Sequence, residues 1–384
     1  MVETRALGHM LVPIEVHLQK KKHEIRKKNI IDVYFCEKKI ANIYLWNKWK
    51  KILGIKMNDR LSNMLFEPTY RHIIKKRDKK LLVPFKHNAD TWNHHLSIKG
   101  KFSKDNSLNH KWEMYDSLHI LEENSPMIEL TTDEKIFGEK ILKKNNILKN
   151  DNIILLIVRD SAYSKYIHPD KNFTKKSNRD NDIDDFKGIV KYLCEKNYKV
   201  IRMGKIMHKK LNYKHDNFID YAFSDFKSEF LDVFLFSICK FVISTGSGLE
   251  TISTIFRKKI IYINYSVLEA LELPTTMNIT FVYPKEIIDT NKNKELSVYD
   301  IFKHGLSKEN IFQSGKMNNI VLKSLTTQQM INATEEMIDY MDKKYLESSS
   351  EINRKTNNLL QEFYKFENNF YWSRDFLDKK INRV

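Results

Sequence analysis

The sequence predicts an α/β chain built on a doubly wound parallel sheet, and three observations predict it. They are an unbroken apolar run, Ile153-Ile154-Leu155-Leu156-Ile157-Val158; a repeated alternation of such runs with helical patterns; and a glycine-rich turn, Ser244-Thr245-Gly246-Ser247-Gly248, at the end of one of them. A run that is apolar at every position fits a strand covered on both faces, as in a parallel sheet. It closes on polar Arg159-Asp160. Ile183, Phe186, Ile189, Val190 and Leu193, three and four residues apart, predict a helix, and Val200-Ile201-Arg202-Met203 predicts the next strand, ending at Gly204. An apolar helix from Phe230 to Ile238 then leads into a strand Phe241-Val242-Ile243, the glycine turn, a helix from Leu249 to Phe256 and a strand from Ile260 to Ile263. Ligands of such sheets sit beyond the carboxyl ends of the strands, where Arg159, Asp160, Arg202, Gly204 and Ser244 to Gly248 all fall.

Upstream, Gly8-His9 reads as a loop before a helix, Ile31 to Phe35 as a strand, and Asn42 to Leu53 as a tryptophan-bearing helix, while Lys86 to Trp112 has no assignable pattern. Thr131-x-x-Glu134 has the spacing of a capping box that opens a helix to about Lys144, and Lys149-Asn150-Asp151-Asn152 is a turn suited to a domain boundary. Beyond residue 326 the chain reads as helical and polar, broken at Ser348-Ser349-Ser350, with Phe363, Tyr364, Phe370, Tyr371 and Trp372 as an apolar surface for docking. The expected division is therefore 1–148, a second α/β domain; 149–345, the doubly wound domain; and 346–384, a helical extension.

With 384 residues, 41% of them hydrophobic, the chain has material for two cores, which excludes disorder for the bulk. Only 10 Gly and 7 Pro exclude collagen-like, linker-rich and solenoid compositions. The net charge of +17 implies attraction to something anionic: nucleic acid, a lipid surface or a phosphorylated substrate. Most of it is lysine, alongside many Asn and Ile, a mix that an A/T-rich genome imposes on any protein. The lysines are scattered and no nucleic-acid motif is present, so nucleic acid is not expected as a partner. Cys36, Cys194 and Cys239 are an odd, widely spaced set, as in a reducing compartment. Met1 to Gln19 has no signal-peptide pattern, and the longest apolar candidate, Phe230 to Ser244, is interrupted by Asp232 and Lys240. A cytoplasmic location is expected.

Of the residues that can carry chemistry, the glycine turn is the most legible. A strand, Ser-Thr-Gly-Ser-Gly and a helix would aim free N–H groups at a ligand, with phosphate as the natural guest and the hydroxyls of Ser244, Thr245 and Ser247 as added donors. The loop matches neither a P-loop nor G-x-G-x-x-G, and a tight turn without a ligand is the other reading. Arg202, at a strand end, can offer a planar fork to a diphosphate, or can pair with Asp160 or Asp220. Arg159-Asp160, with Tyr163 and His168, follows the same logic one strand over: Asp160 is a base, an orienter, or the cap of the turn. Asp180, Asp182, Asp184 and Asp185 lack the glycine and terminal glutamate of a calcium loop and most simply favour the dipole of the Ile183 helix. No Cys/His set has zinc spacing, and no metal is expected. Trp46, Trp49, Lys48, Lys50 and Lys51 form a basic-aromatic helix that suits either anionic lipid or a core face with solvated lysines.

In chain order, Arg159-Asp160-Ser161-Ala162-Tyr163, His168, Asn178-Arg179, Val200 to Gly204, Ile219-Asp220-Tyr221, Glu229 to Leu235 and Ser244 to Leu249 form an ordered motif set. On these the chain resembles a family of bacterial glycosyltransferases from surface-polysaccharide loci, with RDxAY, R-x-G, LDxFL and T-x-G-L motifs in this order. The likeness runs from about Thr131 to Asn264, and Leu7-Gly8-His9 also fits it. The resemblance implies a GT-B-like architecture of two Rossmann-like domains facing a cleft, the acceptor held by 1–148 and a nucleotide-sugar donor by 149–345. It implies no metal and no cofactor beyond the nucleotide-sugar substrate. It makes Arg159, Tyr163, Arg202, Gly204, Asp232, Ser244, Thr245, Gly246, Ser247 and Gly248 donor-binding, and His9 and Asp160 catalytic, with His9 as base toward the acceptor hydroxyl. The implied acceptor is a surface glycan or a polyprenyl-linked carrier, met in the cytoplasm or peripherally at the inner membrane.

Overall fold

The structure is a computed structural model that describes residues 4, 6–23, 39–54, 64, 120–167, 169, 177–268, 271, 279–306, 319–344, 353, 354, 356, 358 and 370–381. The chain forms two compact units: residues 1–130 with Thr254–Arg257, and residues 131–253 with 258–384.

The first unit is helical among its described residues, with α1 (Leu7–Lys22), α2 (Ile43–Leu53) and the short α3 (Ile120–Glu123). Gly8 and His9 lie inside α1 rather than in a loop before it, and Pro13 is accommodated within the same helix. The burial of α1 is unusual for its sequence, because Glu15 and Gln19 are as deeply covered as Met10 and Ile14. Glu15 meets that demand by accepting from Arg257 at 2.8 Å, the Met127 N–H at 3.0 Å and Gln19 at 3.2 Å. In α2, Asn42 caps the first turn through the Leu45 N–H, and Gly54 ends the helix in the left-handed region. Trp46 and Trp49 are buried, so the basic-aromatic helix takes the core-face reading, with Lys51 exposed and Lys48 and Lys50 half-buried. The strand expected at Ile31–Phe35 and the segment Lys86–Trp112 lie outside the described residues.

The second unit holds a seven-stranded sheet in which every pairing is parallel. Its strands are β1 (Asn152–Ile157), β2 (Tyr198–Arg202), β3 (Phe218–Ile219), β4 (Phe241–Ser244), β5 (Ile260–Tyr265), β6 (Ile279–Pro284) and β10 (Tyr371–Trp372). A three-stranded antiparallel sheet of β7 (Glu286–Asp289), β8 (Lys294–Glu295) and β9 (Ile320–Lys323) completes the strands. The order across the large sheet is β3-β2-β1-β4-β5-β6-β10. It reverses between β1 and β4, which is the order of a Rossmann-like fold and fixes the place where a crevice opens.

The helices of this unit are α4 (Thr132–Lys144), α5 (Ala162–Ile167), α6 (Lys187–Glu195), α7 (Glu229–Ile238), α8 (Thr251–Ile255, whose last two residues fall in the first unit), α9 (Val298–Lys303), α10 (Thr327–Met341) and α11 (Arg374–Ile381). The expected capping box opens α4: Thr131 accepts from the Glu134 N–H, and Glu134 accepts from the Thr131 N–H at 2.7 Å. Helix α4 falls in the second unit, so the division comes at Leu130/Thr131 rather than at the 148/149 turn. The cause is close packing: a Cβ on Gly138 would stand 2.6 Å from the Phe234 ring of α7. The segment read as a helical extension is likewise part of this unit. Tyr371–Trp372 pairs with β6, and Phe370 and Trp372 are buried, so these aromatics dock on the protein's own sheet. Phe363 and Tyr364 lie outside the described residues.

Candidate functional site

Strand β1 delivers Arg159 and Asp160 to the point where the strand order reverses, and β4 delivers Ser244 to Gly248 beside them. One threonine ties the two loops. The Thr245 N–H donates to the Ile157 carbonyl at 3.1 Å, and its hydroxyl oxygen accepts from the Arg159 N–H at 2.9 Å. A segment after α5, residues 177–181, is laced over the same strand ends. The Asn181 N–H donates to the Arg159 carbonyl at 2.9 Å, Arg179 reaches the Gly246 carbonyl at 3.4 Å, and Arg159 stands 3.8 Å from Asp180. From the end of β6, Lys285 donates to the carbonyls of Asn178 at 2.9 Å and Asp180 at 3.0 Å. Arg159, Arg179 and Lys285 thus gather on the segment 177–181, with Arg179 on the Gly246 carbonyl and Asp180 between Arg159 and Lys285.

The glycine loop is internally braced. Gly246 has φ +89°, and the Gly246 N–H donates to the Ser244 hydroxyl oxygen at 3.1 Å. Glu250 accepts from the Ser247 N–H at 2.6 Å and from the Ser247 hydroxyl at 2.8 Å, while Ser247 in turn accepts from the Leu249 N–H at 3.1 Å. Burial raises the Glu250 carboxyl, against the pull of Ser247 and Arg179. The sequence reading aimed the loop's N–H groups and hydroxyls at a phosphate; instead Ser244 and Thr245 are buried and turned inward, and the Ser247 donors hold a carboxylate of the protein's own. The helix that follows is also shorter than Leu249 to Phe256, covering Thr251–Ile255 alone. Its dipole is correspondingly small.

Arg202 takes the second of its two predicted roles. It is 1% exposed, donates to the Lys209 carbonyl at 2.8 Å, and pairs with Asp220 at 3.1 Å, with Phe223 beneath the guanidinium at 5.6 Å. Asp220 also accepts from the Leu211 N–H at 3.0 Å, so the pair pins the loop that follows β2. Asp160 accepts from the Ala162 N–H and the His208 N–H, both at 2.9 Å, which is the capping role. Tyr163 is half-buried beside Lys205 and Glu229, its phenol raised by burial. Gly204 is buried and Gly248 exposed. The acidic cluster disperses: Asp182 caps the turn Ile183–Phe186, Asp182 and Asp184 both hold Lys209 at 2.7 Å, and Asp185 accepts from Ser324. His168 and the side chain of His9 lie outside the described residues.

Asp232 accepts from the Tyr221 hydroxyl at 3.0 Å. Burial pushes its carboxyl up from 3.8 to about 6, against the hydrogen bond from Tyr221. A raised folded value favours the protonated acid, so its contribution to stability is complete below the unfolded value and is lost as the pH rises through about 6. Asp232→Asn is therefore expected to gain in thermal midpoint relative to the parent between pH 3.8 and about 6. Parallel midpoint curves for the two proteins across that window would show that Asp232 does not titrate there.

Sequence reasoning missed Lys285, Glu250 and the brace formed by residues 177–181. Ser247-x-x-Glu250 carries the spacing of a capping box, and that signal could have found Glu250. Lys285 directly follows a strand, where the rule of carboxyl ends could have placed it. Among the described residues no helix is long and apolar enough to cross a membrane. Compared with models of protein families, with curated proteins and with solved structures, the chain has no significant match.

Proposed function

We propose that the chain is a glycosyltransferase that holds a nucleotide-sugar at the carboxyl ends of β1 and β4 and passes the sugar to a surface-glycan or lipid-linked acceptor. One observation carries this reading: Arg159 and Arg179 stand where the strand order reverses, on a segment that Lys285 holds through the Asn178 and Asp180 carbonyls. The reaction class rests on the resemblance of the ordered motif set from Arg159 to Leu249.

In the reaction an acceptor hydroxyl oxygen bonds to the anomeric carbon, the bond from that carbon to the diphosphate oxygen breaks, and the hydroxyl proton passes to a base. Negative charge grows on the departing nucleoside diphosphate. Fixed guanidinium groups already in place stabilise that charge without reorganising. Arg159 and Arg179 take this role, while Arg202 shapes the neighbouring loop.

A thermal-shift titration against UDP, GDP, ADP, CDP, CMP and dTDP sugars tests the reading. A donor at about 100 times its dissociation constant stabilises the fold by about 2.7 kcal/mol. Arg179→Ala is expected to weaken that donor about tenfold to hundredfold, since hydrogen bonds to charged groups contribute about 1.5–3 kcal/mol. Nucleoside diphosphate released only when acceptor is present marks transfer; interconversion of the sugar without acceptor would make the protein an epimerase. If no nucleotide-sugar shifts the midpoint, the donor site is assigned wrongly.

A further inference from the structure

We propose that the outer face of α4 is a docking surface for an anionic lipid bilayer. Ile136 is 59% exposed and Phe137 56%, adjacent on the first half of the helix, and Leu148 just beyond its end is 55% exposed. Large apolar side chains so exposed and so grouped mark an interaction surface. Lys135, Lys140, Lys143 and Lys144 are exposed around and between them. A helix of 13 residues is about 20 Å long. With apolar groups at both ends and lysines between, it suits lying flat in a headgroup layer.

The acids of this segment do not offset the lysines. Residues 131–149 carry five lysines against Asp133, Glu134 and Glu139, a net +2, with Glu134 folded back onto the Thr131 N–H and Glu139 paired with Lys149 at 3.0 Å. The face is also rigidly backed: Gly138 lies against the Phe234 ring, and the Phe137 ring stands 5.5 Å from that of Phe230. Charge selects the occupant. A second copy of a chain carrying +17 would bring like charge to this face, whereas an anionic bilayer complements it.

The surface has an orientation. Phe230 opens α7, and its neighbour Glu229 pairs with Lys205, which follows the carboxyl end of β2. The apolar pair therefore lies at the same end of the sheet as Arg159 and Gly246. A bilayer bound there sits beside that crevice, although the docking surface stands independently of the donor reading.

The test is co-sedimentation of the full chain with vesicles of phosphatidylcholine alone and of phosphatidylcholine with phosphatidylglycerol. Binding is expected only to the vesicles with phosphatidylglycerol, weakening as salt is added. The double variant Ile136→Asp/Phe137→Asp is expected to lower partitioning by about tenfold or more, and Lys140→Glu/Lys143→Glu to do likewise, the lysine variant with an unchanged thermal midpoint because its side chains are exposed. Equal binding to both vesicles, binding to neither, or binding that survives the aspartates would overturn the proposal. So would a parent that ignores vesicles yet self-associates, and becomes monomeric in the Ile136→Asp/Phe137→Asp variant, since the face would then belong to a second copy.

Discussion

Arg202→Ala is expected to lower the stability of the second unit by about 3–5 kcal/mol, the range for breaking a buried ion pair by removing one partner. The guanidinium is 1% exposed, and three groups depend on it: the Lys209 carbonyl at 2.8 Å, Asp220 at 3.1 Å and the ring of Phe223. Truncation leaves the Asp220 carboxylate with the Leu211 N–H alone among these partners and opens a cavity beside Phe223. Lysine is no substitute, because a point charge cannot span the carbonyl and the carboxylate as a planar fork does. Urea unfolding should show a lower midpoint with an unchanged slope. A variant that keeps the parent's midpoint but loses nucleotide-sugar binding would instead place Arg202 on the ligand.

Arg202 also shows where the sequence stops being informative. Its position at the end of β2 is legible, because β1, β2, β4 and β5 are covered on both faces and each has a short apolar run at its centre, Val200-Ile201 in β2. Which way its side chain turns depends on Asp220, eighteen residues on, and no local pattern encodes that choice. Capping boxes are local, and the one at Thr131 is read correctly to the residue. By contrast β10 is two residues long, and its strand character comes wholly from pairing with β6. Aromatics that look like a docking surface in the sequence are instead a sheet edge finding its own neighbour. The glycine loop is legible as a turn, whereas its occupant is not: the Ser247 donors that suit a phosphate suit Glu250 equally well, and the carboxylate is already tethered beside them.

Gly246→Ala is expected to be the most damaging single methyl group in the site, for two separable reasons. The backbone holds φ +89°, where a non-glycine residue costs about 1–3 kcal/mol. The new Cβ would also stand 2.7 Å from the Tyr265 ring, which cannot simply swing aside because it stacks on Tyr262 at 4.3 Å and 5°. Overpacking of this kind adds about 1–3 kcal/mol. Tyr265→Ala removes the obstacle but leaves the dihedral, so a double-mutant cycle divides the cost: the steric part vanishes in Gly246→Ala/Tyr265→Ala, and the conformational part remains. A cycle with no coupling would mean that the loop moves away from Tyr265 on its own. Because the Gly246 carbonyl accepts from Arg179, such a movement would shift the guanidinium as well, and donor affinity would fall with stability. Coupling in stability with donor affinity kept would instead show that Arg179 holds its place without the loop.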